Sequence, residues 1–267
     1  MERKHFSISI AKPGQGQVNE DAAIAKDGLI AVSDGAGGGG LYADLWSAYL
    51  LDKLPDEPIT TFEQLDSWLD GIWETFYNRC EEQAKKEGGL VLNKFYDEGS
   101  FATLAAVWKN DKFCRWISYG DSVAFHYNMR TGILEHSFTK LIDFNNPPYL
   151  INCKDPLSNK GFRCGEFKID NDSVVFCATD ALAHFMIMCY EISKCNLYAE
   201  ELTEAINAGT KFSTCINSAT AKPMDFENSV IREFSISFQY STKFENYINN
   251  LLENRFIVLD DYSFSMF

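Results

Sequence analysis

The chain has no apolar run approaching the ~20 residues that span a bilayer. Its first residues, Met-Glu-Arg-Lys-His-Phe-Ser, hold no hydrophobic stretch of the kind that directs secretion. None of its eight cysteines forms a C-x-x-C pair, which removes the paired-thiol motifs of redox and zinc sites. Several cysteines sit in apolar runs, and the set is expected to be reduced core residues. Positive charge is scarce: 24 Lys and Arg stand against 38 Asp and Glu, a net charge of -14. That balance argues against nucleic acid, whose phosphates demand a basic surface, and equally against anionic membranes. No interdomain linker and no internal repeat is visible. Residues 1–267 are therefore expected to form a single domain, monomeric and cytoplasmic.

What is present is enough for a full core: 46% hydrophobic and 14% aromatic residues. Short strands are expected at Phe6 to Ile10, Ala22 to Ala25 and Leu29 to Ser33. A helix is expected from Leu41 to Leu54. A second, capped by Thr60-Thr61, carries Phe62, Leu65, Trp68, Leu69, Ile72, Trp73, Phe76, Tyr77 and Cys80 at helical spacing and stops at Gly88-Gly89. The period then changes to two, with strands at Phe101 to Trp108, Lys112 to Tyr119, Val123 to Asn128 and Ile133 to Phe138. Asp143 to Gly165 reads as loop, broken most strongly at Asn145-Asn146-Pro147-Pro148. Ser173 to Thr179 reads as strand, Ala181 to Tyr190 and Ala199 to Ala208 as helices, and Thr210 to Asn228 as polar and irregular. Thr242 to Asn254 reads as helix, with final strands on either side of Asp260-Asp261. Strand groups enclosing helices, with more helices late, predict an α+β sandwich.

Aspartates recur at strand ends. Ile-Ala-Val-Ser-Asp34 is followed by Gly-Ala-Gly-Gly-Gly-Gly, Ser-Val-Val-Phe-Cys-Ala-Thr ends in Asp180, and Arg-Phe-Ile-Val-Leu precedes Asp260-Asp261. Asn19-Glu20-Asp21 adds two more acids. Burying an unpaired carboxylate is costly, so such residues call for a cation, and an all-oxygen set suits Mg²⁺ or Mn²⁺. No lysine or arginine adjoins these acids to pair each one. The histidines His5, His126, His136 and His184 do not cluster and are expected to be packing or surface residues.

The glycine run has two readings. Gly35-x-Gly37-x-x-Gly40 satisfies the dinucleotide fingerprint formally, but Asp34 points negative charge at a pyrophosphate and no βαβ unit closes around it. No Gly-Lys-Ser/Thr follows to make a P-loop. In the other reading the glycines allow a sharp turn, so that the Gly35 carbonyl and the Asp34 carboxylate face one cation.

The motifs N-E-D-A, A-V-S-D-G-A-G-G, A-T-L-A-A-V, Y-G-D-S, C-A-T-D-A-L-A and L-D-D-Y-S-F occur in the order and rough spacing of the type-2C, metal-dependent protein phosphatases, and the chain resembles a bacterial subgroup of that family. The resemblance implies a four-layer αββα sandwich of two antiparallel sheets flanked by helices. It implies that Asp34 bridges two Mg²⁺ or Mn²⁺ ions with the Gly35 carbonyl on one of them, and that Asp180 and Asp260 complete the other. It places metal-bound waters on Glu20 and Asp21, and a third, weaker metal on Asp121. The implied reaction is hydrolysis of phosphoserine and phosphothreonine in a protein substrate, by in-line attack of a hydroxide held between the ions.

The sequence departs from the family in how phosphate would be held. Gln15, Gly16 and Gln17 stand where an arginine usually precedes N-E-D, Ala36 where eukaryotic members have histidine, Val123 where arginine is common, and Ala181 where glycine is usual. Lys12 is then the nearest positive charge in that loop and the expected phosphate contact, with Arg163 next in line. The lost arginine also keeps open a pseudophosphatase, the same fold used as a regulatory binding module.

Overall fold

The computed structural model describes residues 5–14, 16, 18–237 and 241–267. Along the chain β1 (Phe6–Ile10), β2 (Ala22–Lys26) and β3 (Leu29–Ser33) are followed by α1 (Ala43–Asp52), α2 (Phe62–Asp70), α3 (Trp73–Glu87) and α4 (Gly89–Glu98). Then come β4 (Phe101–Ala102), β5 (Leu104–Lys109), β6 (Phe113–Tyr119), β7 (Val123–Asn128), β8 (Ile133–His136), β9 (Ile151–Asn152), β10 (Phe162–Lys168) and β11 (Ser173–Ala178). The last part holds α5 (Asp180–Ser193), α6 (Cys195–Asn207), α7 (Lys211–Ala221), a π-helical turn over Phe226–Ile231, α8 (Arg232–Ser237), α9 (Ser241–Glu253) and β12 (Tyr262–Met266).

Two five-stranded sheets form, in the orders β1-β12-β11-β7-β8 and β10-β6-β5-β3-β2, and the short β4 and β9 pair apart from them. Alternation along the strands decides what each face meets. Ile30 and Val32 of β3, Ala105 and Val107 of β5, and Val175 and Cys177 of β11 point into one layer between the sheets. Leu29, Ala31, Leu104, Ala106 and Trp108 point the other way, onto Trp46, Leu50, Leu65, Phe76 and Phe95 of α1–α4. Phe125, Phe176, Tyr262 and Phe264 face Leu182, Phe185, Ile216, Phe244 and Ile248 on the opposite side. The result is the expected four-layer αββα sandwich. Strands buried on both faces, such as Leu-Ile-Ala-Val-Ser, lose the polar alternation of a one-sided sheet for this reason.

Six cysteines are buried, Cys164 and Cys195 are exposed, and all eight are free. Among the described residues no helix is long and apolar enough to cross a membrane.

Several local expectations are corrected. The helix drawn through Ile72 breaks into α2 and α3 at Gly71, whose N–H bonds back to the Ser67 and Trp68 carbonyls. Gly88, at φ 121°, ends α3 but the chain restarts at once as α4. Thr103 interrupts the strand between β4 and β5. The loop after Asp143 contains β9 and the first residues of β10. Thr210 to Ala221, read as irregular, is the cap and body of α7: the Thr210 side chain accepts the Ser213 N–H while the Ser213 side chain accepts the Thr210 N–H. The strand expected before Asp260 does not form. Arg255 turns left-handed at φ 58°, and the Tyr262 hydroxyl bonds back to the Val258 carbonyl at 2.8 Å.

Candidate active site

Register brings the acidic strand ends to one edge of the sandwich. Ala22 pairs with Ser33, Ile10 with Tyr262, and Val123 with Ala178. The residues just beyond these pairs are Asp21, Asp34, Asp261 and Asp121-Ser122 on connecting loops, and Thr179-Asp180 at the start of α5. Hydrogen bonds then tie one sheet to the other. Thr179 Oγ1 donates to Asp21 Oδ2 at 2.8 Å and accepts the Ser263 N–H at 3.1 Å. The Asp261 carboxylate accepts the backbone N–H groups of Lys12 at 2.7 Å and Glu20 at 2.8 Å.

Asp34 is held through its backbone: its N–H reaches Thr103 Oγ1 at 3.2 Å and its carbonyl accepts the Thr103 N–H at 2.8 Å. Thr103 Oγ1 in turn meets Ser122 Oγ at 2.6 Å. The half-buried Asp34 carboxyl is pushed up to about 7 by desolvation first, then by the charges of Asp121 and Asp260, against a hydrogen bond with Asp21. Asp21 and Asp180 are both raised well above the carboxylate range, by burial first and then by Asp34. Asp121, 8% exposed, is pushed up to about 8 by burial and then by Asp180. Its Oδ1 is buried without a hydrogen-bond partner, which in a native site asks for a missing donor or ion. Asp260 and Glu20 are also raised, again by burial first.

The glycine run serves close approach. A Cβ on Gly35 would collide with the Glu20 and Ala43 carbonyl oxygens, and one on Gly37 with the Glu20 carboxylate. The Gly35 N–H bonds to the Glu20 carbonyl at 3.1 Å, and Gly37 hydrogen-bonds the Glu20 carboxylate through its backbone, which favours the ionised form. Every strand pair among the described residues is antiparallel, so the run opens no βαβ unit.

Asp21, Asp34, Asp121, Asp180 and Asp260 are thus brought within electrostatic reach of one another, and Glu20 joins them through Asp261. Their donors, all carboxylate oxygens, fit a hard divalent cation in chemistry. Among the described residues, however, no group of three or more His, Cys, Asp or Glu side chains is already arranged to hold a metal ion. The four histidines are not in this cluster. His126 lies between Glu135 at 2.7 Å and Ser173 at 2.9 Å, and His184 packs on Phe212 at 4.3 Å.

The basic residues fall differently from the sequence reading. Lys12 is in place beside the acids, while Gln15 and Gln17 of its loop lie outside the described residues. Arg163, next in line after Lys12, donates to the Gly120 carbonyl and to Ser118 Oγ, stacks over Phe138 at 5.1 Å, and acts by its charge on Asp121. Asp260, read as having no basic partner, has one: Lys211 Nζ lies 4.0 Å from its Oδ2. Lys211 was hidden because its segment read as irregular. Asp261 was seen only as half of an acidic pair, and its role in joining two loops had no signal in the sequence.

No known family model and no curated protein sequence matches the chain. Solved structures do match it across nearly its whole length. The catalytic domain of the serine/threonine protein phosphatase PstP, crystallised with two manganese ions, is 14% identical, with 98% of this chain and 96% of that one covered at a TM-score of 0.53. PppA, a regulatory component of the type VI secretion system in Pseudomonas aeruginosa, is 16% identical, with 98% and 96% covered at 0.51. The serine/threonine phosphatase Stp1 from Staphylococcus aureus is 14% identical, with 99% and 94% covered at 0.50. With two antiparallel sheets between helical layers and acids gathered at one edge, the protein has the fold of the bacterial type-2C serine/threonine phosphatases.

Proposed function

We propose that the protein is a metal-dependent phosphatase acting on phosphoserine and phosphothreonine in a protein substrate. The observation that carries this reading is the convergence of Asp21, Asp34, Asp121, Asp180 and Asp260, from separate strands and loops, onto one site where the charges of Asp34, Asp121, Asp180 and Asp260 hold neighbouring carboxyls above their usual range. Such mutual repulsion is tolerable in a working protein when cations answer it. Asp34 and the Gly35 carbonyl, with Asp180 and Asp260, would hold two Mg²⁺ or Mn²⁺ ions. Glu20 and Asp21 would orient water around them, and Asp121 would serve a third. When bound, such ions neutralise the carboxylates and acidify water for attack on phosphorus.

The chain's own residues do the rest. Thr179 fixes the Asp21 carboxylate, Thr103 fixes the Asp34 backbone, and Asp261 holds the Lys12–Glu20 loop against the site. Lys12 then presents its charge to the substrate phosphate. The cysteines supply no nucleophile in this reading: burial pushes the Cys80 and Cys114 thiols up to about 12, away from the reactive thiolate. The acidic net charge argues against nucleic acid or an anionic membrane as partner, and the enzyme is read as monomeric and cytoplasmic.

Calorimetric Mn²⁺ titration tests the assignment. The intact protein should bind tightly and Asp34→Ala should not. Equal affinity in the two would remove Asp34 from the site, and absence of binding in both would favour the pseudophosphatase.

A further inference from the structure

Beyond Lys12, a second cation stands at the acidic edge, on an element that gave no functional signal in sequence. Lys211 is the first residue of α7, and its Nζ lies 4.0 Å from Asp260 Oδ2. At that separation the pair is an ion pair and not a hydrogen bond, so the three ammonium donors remain for another acceptor. Its base is rigid. Thr210 and Ser213 cap each other at the start of the helix, Ser213 Oγ donates to the Ala205 carbonyl at 2.6 Å, and Phe212 beside it is buried. Its head is accessible, with the side chain 60% exposed and the ammonium over the Phe212 ring at 5.0 Å.

Two lysines therefore approach one carboxylate from opposite parts of the chain. Lys12 and Lys211 both pull Asp260 back toward ionisation, and Lys211 does the same for Asp180. Arg163 stands on the Asp121 side of the cluster, where its charge favours the ionised Asp121, and two of its N–H groups donate to Gly120 and Ser118. A tetrahedral phosphate dianion offers several acceptor oxygens, and one lysine can meet only part of that demand as a point charge.

Resting on the phosphatase reading above, we propose that Lys211 is a phosphate-recognition residue of this site, sharing with Lys12 the task an arginine fork would perform alone. While no substrate is bound, Asp260 keeps the Lys211 ammonium at the rim. A bound phosphoryl group offers it a doubly charged acceptor in Asp260's place. Two separate point charges on flexible stems recognise charge more than shape, so the site is suited to phosphoserine and phosphothreonine in varied peptide settings.

The test compares the full-length Mn²⁺-loaded protein with its Lys211→Met, Lys211→Arg and Lys12→Ala variants. Methionine keeps the apolar stem on Phe212 and removes only the charge. Two quantities are read by calorimetry: the affinity for inorganic phosphate, and separately the affinity for Mn²⁺. The expected result is a loss of about tenfold or more in phosphate affinity for Lys211→Met, with Mn²⁺ affinity unchanged or higher and phosphate binding restored in Lys211→Arg. In turnover of a phosphopeptide the loss should appear chiefly in KM. Unchanged phosphate affinity in Lys211→Met overturns the proposal. So does a fall in Mn²⁺ affinity that accounts for the loss, because Lys211 would then act only by placing Asp260. If the wild-type protein shows neither Mn²⁺-dependent phosphate binding nor turnover, the phosphatase reading itself fails and this inference falls with it. Wild-type turnover with a normal Lys211→Met removes the inference alone.

Discussion

The carboxylate of Asp261 accepts the backbone N–H of Glu20 at 2.8 Å, across 241 residues of sequence, and its second oxygen takes the N–H of Lys12. One buried side chain thereby joins the end of β1 and the start of β2 to the turn before β12. Hydrogen bonds to a charged group contribute about 1.5–3 kcal/mol each, and removing the carboxylate also relieves some repulsion within the cluster. Asp261→Ala should therefore lose about 1–3 kcal/mol in denaturant unfolding of the metal-free protein. A change near zero would mean that the loop is held by other contacts.

The clustered acids also set a pH dependence. Asp34 and Asp121, pushed up to about 7 and about 8, keep protons in the folded state that the unfolded chain has released above the ordinary aspartate value. The folded state thus binds more protons through this window, and stability falls as pH rises. In chelator, the metal-free protein should melt lower at pH 8 than at pH 5 on account of these groups. Asp34→Asn should flatten that fall, and added Mn²⁺ should raise Tm most at the higher pH. A Tm difference between pH 5 and pH 8 that is identical in Asp34→Asn and wild type would show that Asp34 carries no such strain.

Gly35 tests the fit of the glycine run. A methyl group there would meet the backbone oxygens of Glu20 and Ala43, neither of which is the free end of a side chain. Gly35→Ala should cost about 2 kcal/mol or more and weaken Mn²⁺ binding, whereas Gly39→Ala, with open space around it, should be nearly silent. Equal effects at the two positions would contradict the close-approach account.

How much of this was legible in the sequence follows from what each residue's neighbours reveal. The acids at strand ends stood out because an aspartate after Ile-Ala-Val-Ser or Val-Val-Phe-Cys-Ala is chemically out of place. The order of strand and helix patterns supplied an α+β sandwich and the ordered motifs its four layers, since hydrophobic alternation alone cannot say how two antiparallel sheets stack. Lys211 was missed because α7 begins with a mutual Thr210–Ser213 cap in a segment of polar residues, which reads locally as loop. The break at Gly71 was missed because the apolar spacing of Leu69, Ile72 and Phe76 carries on across it. Asp261's hydrogen bonds span almost the whole chain, and no local pattern encodes such a pairing.

Water as the attacking group makes a further prediction. Alkylation of the exposed Cys164 and Cys195 should leave turnover unchanged, and rapid quenching with a labelled phosphopeptide should trap no phosphoenzyme. Stoichiometric label on the protein would place a side-chain nucleophile in the reaction and overturn direct attack.

Loaded with divalent cation, the acidic edge is proposed to hydrolyse phosphoserine or phosphothreonine. Phosphate release from a phosphorylated peptide, measured on chelator-stripped protein as Mn²⁺ is added back, tests it most directly. The expected result is no release without metal, saturable release with it, and loss of at least a hundredfold, about 2.7 kcal/mol of transition-state stabilisation, in Asp34→Asn. A folded wild-type protein that releases no phosphate at any Mn²⁺ concentration would contradict it and leave the fold serving as a binding module.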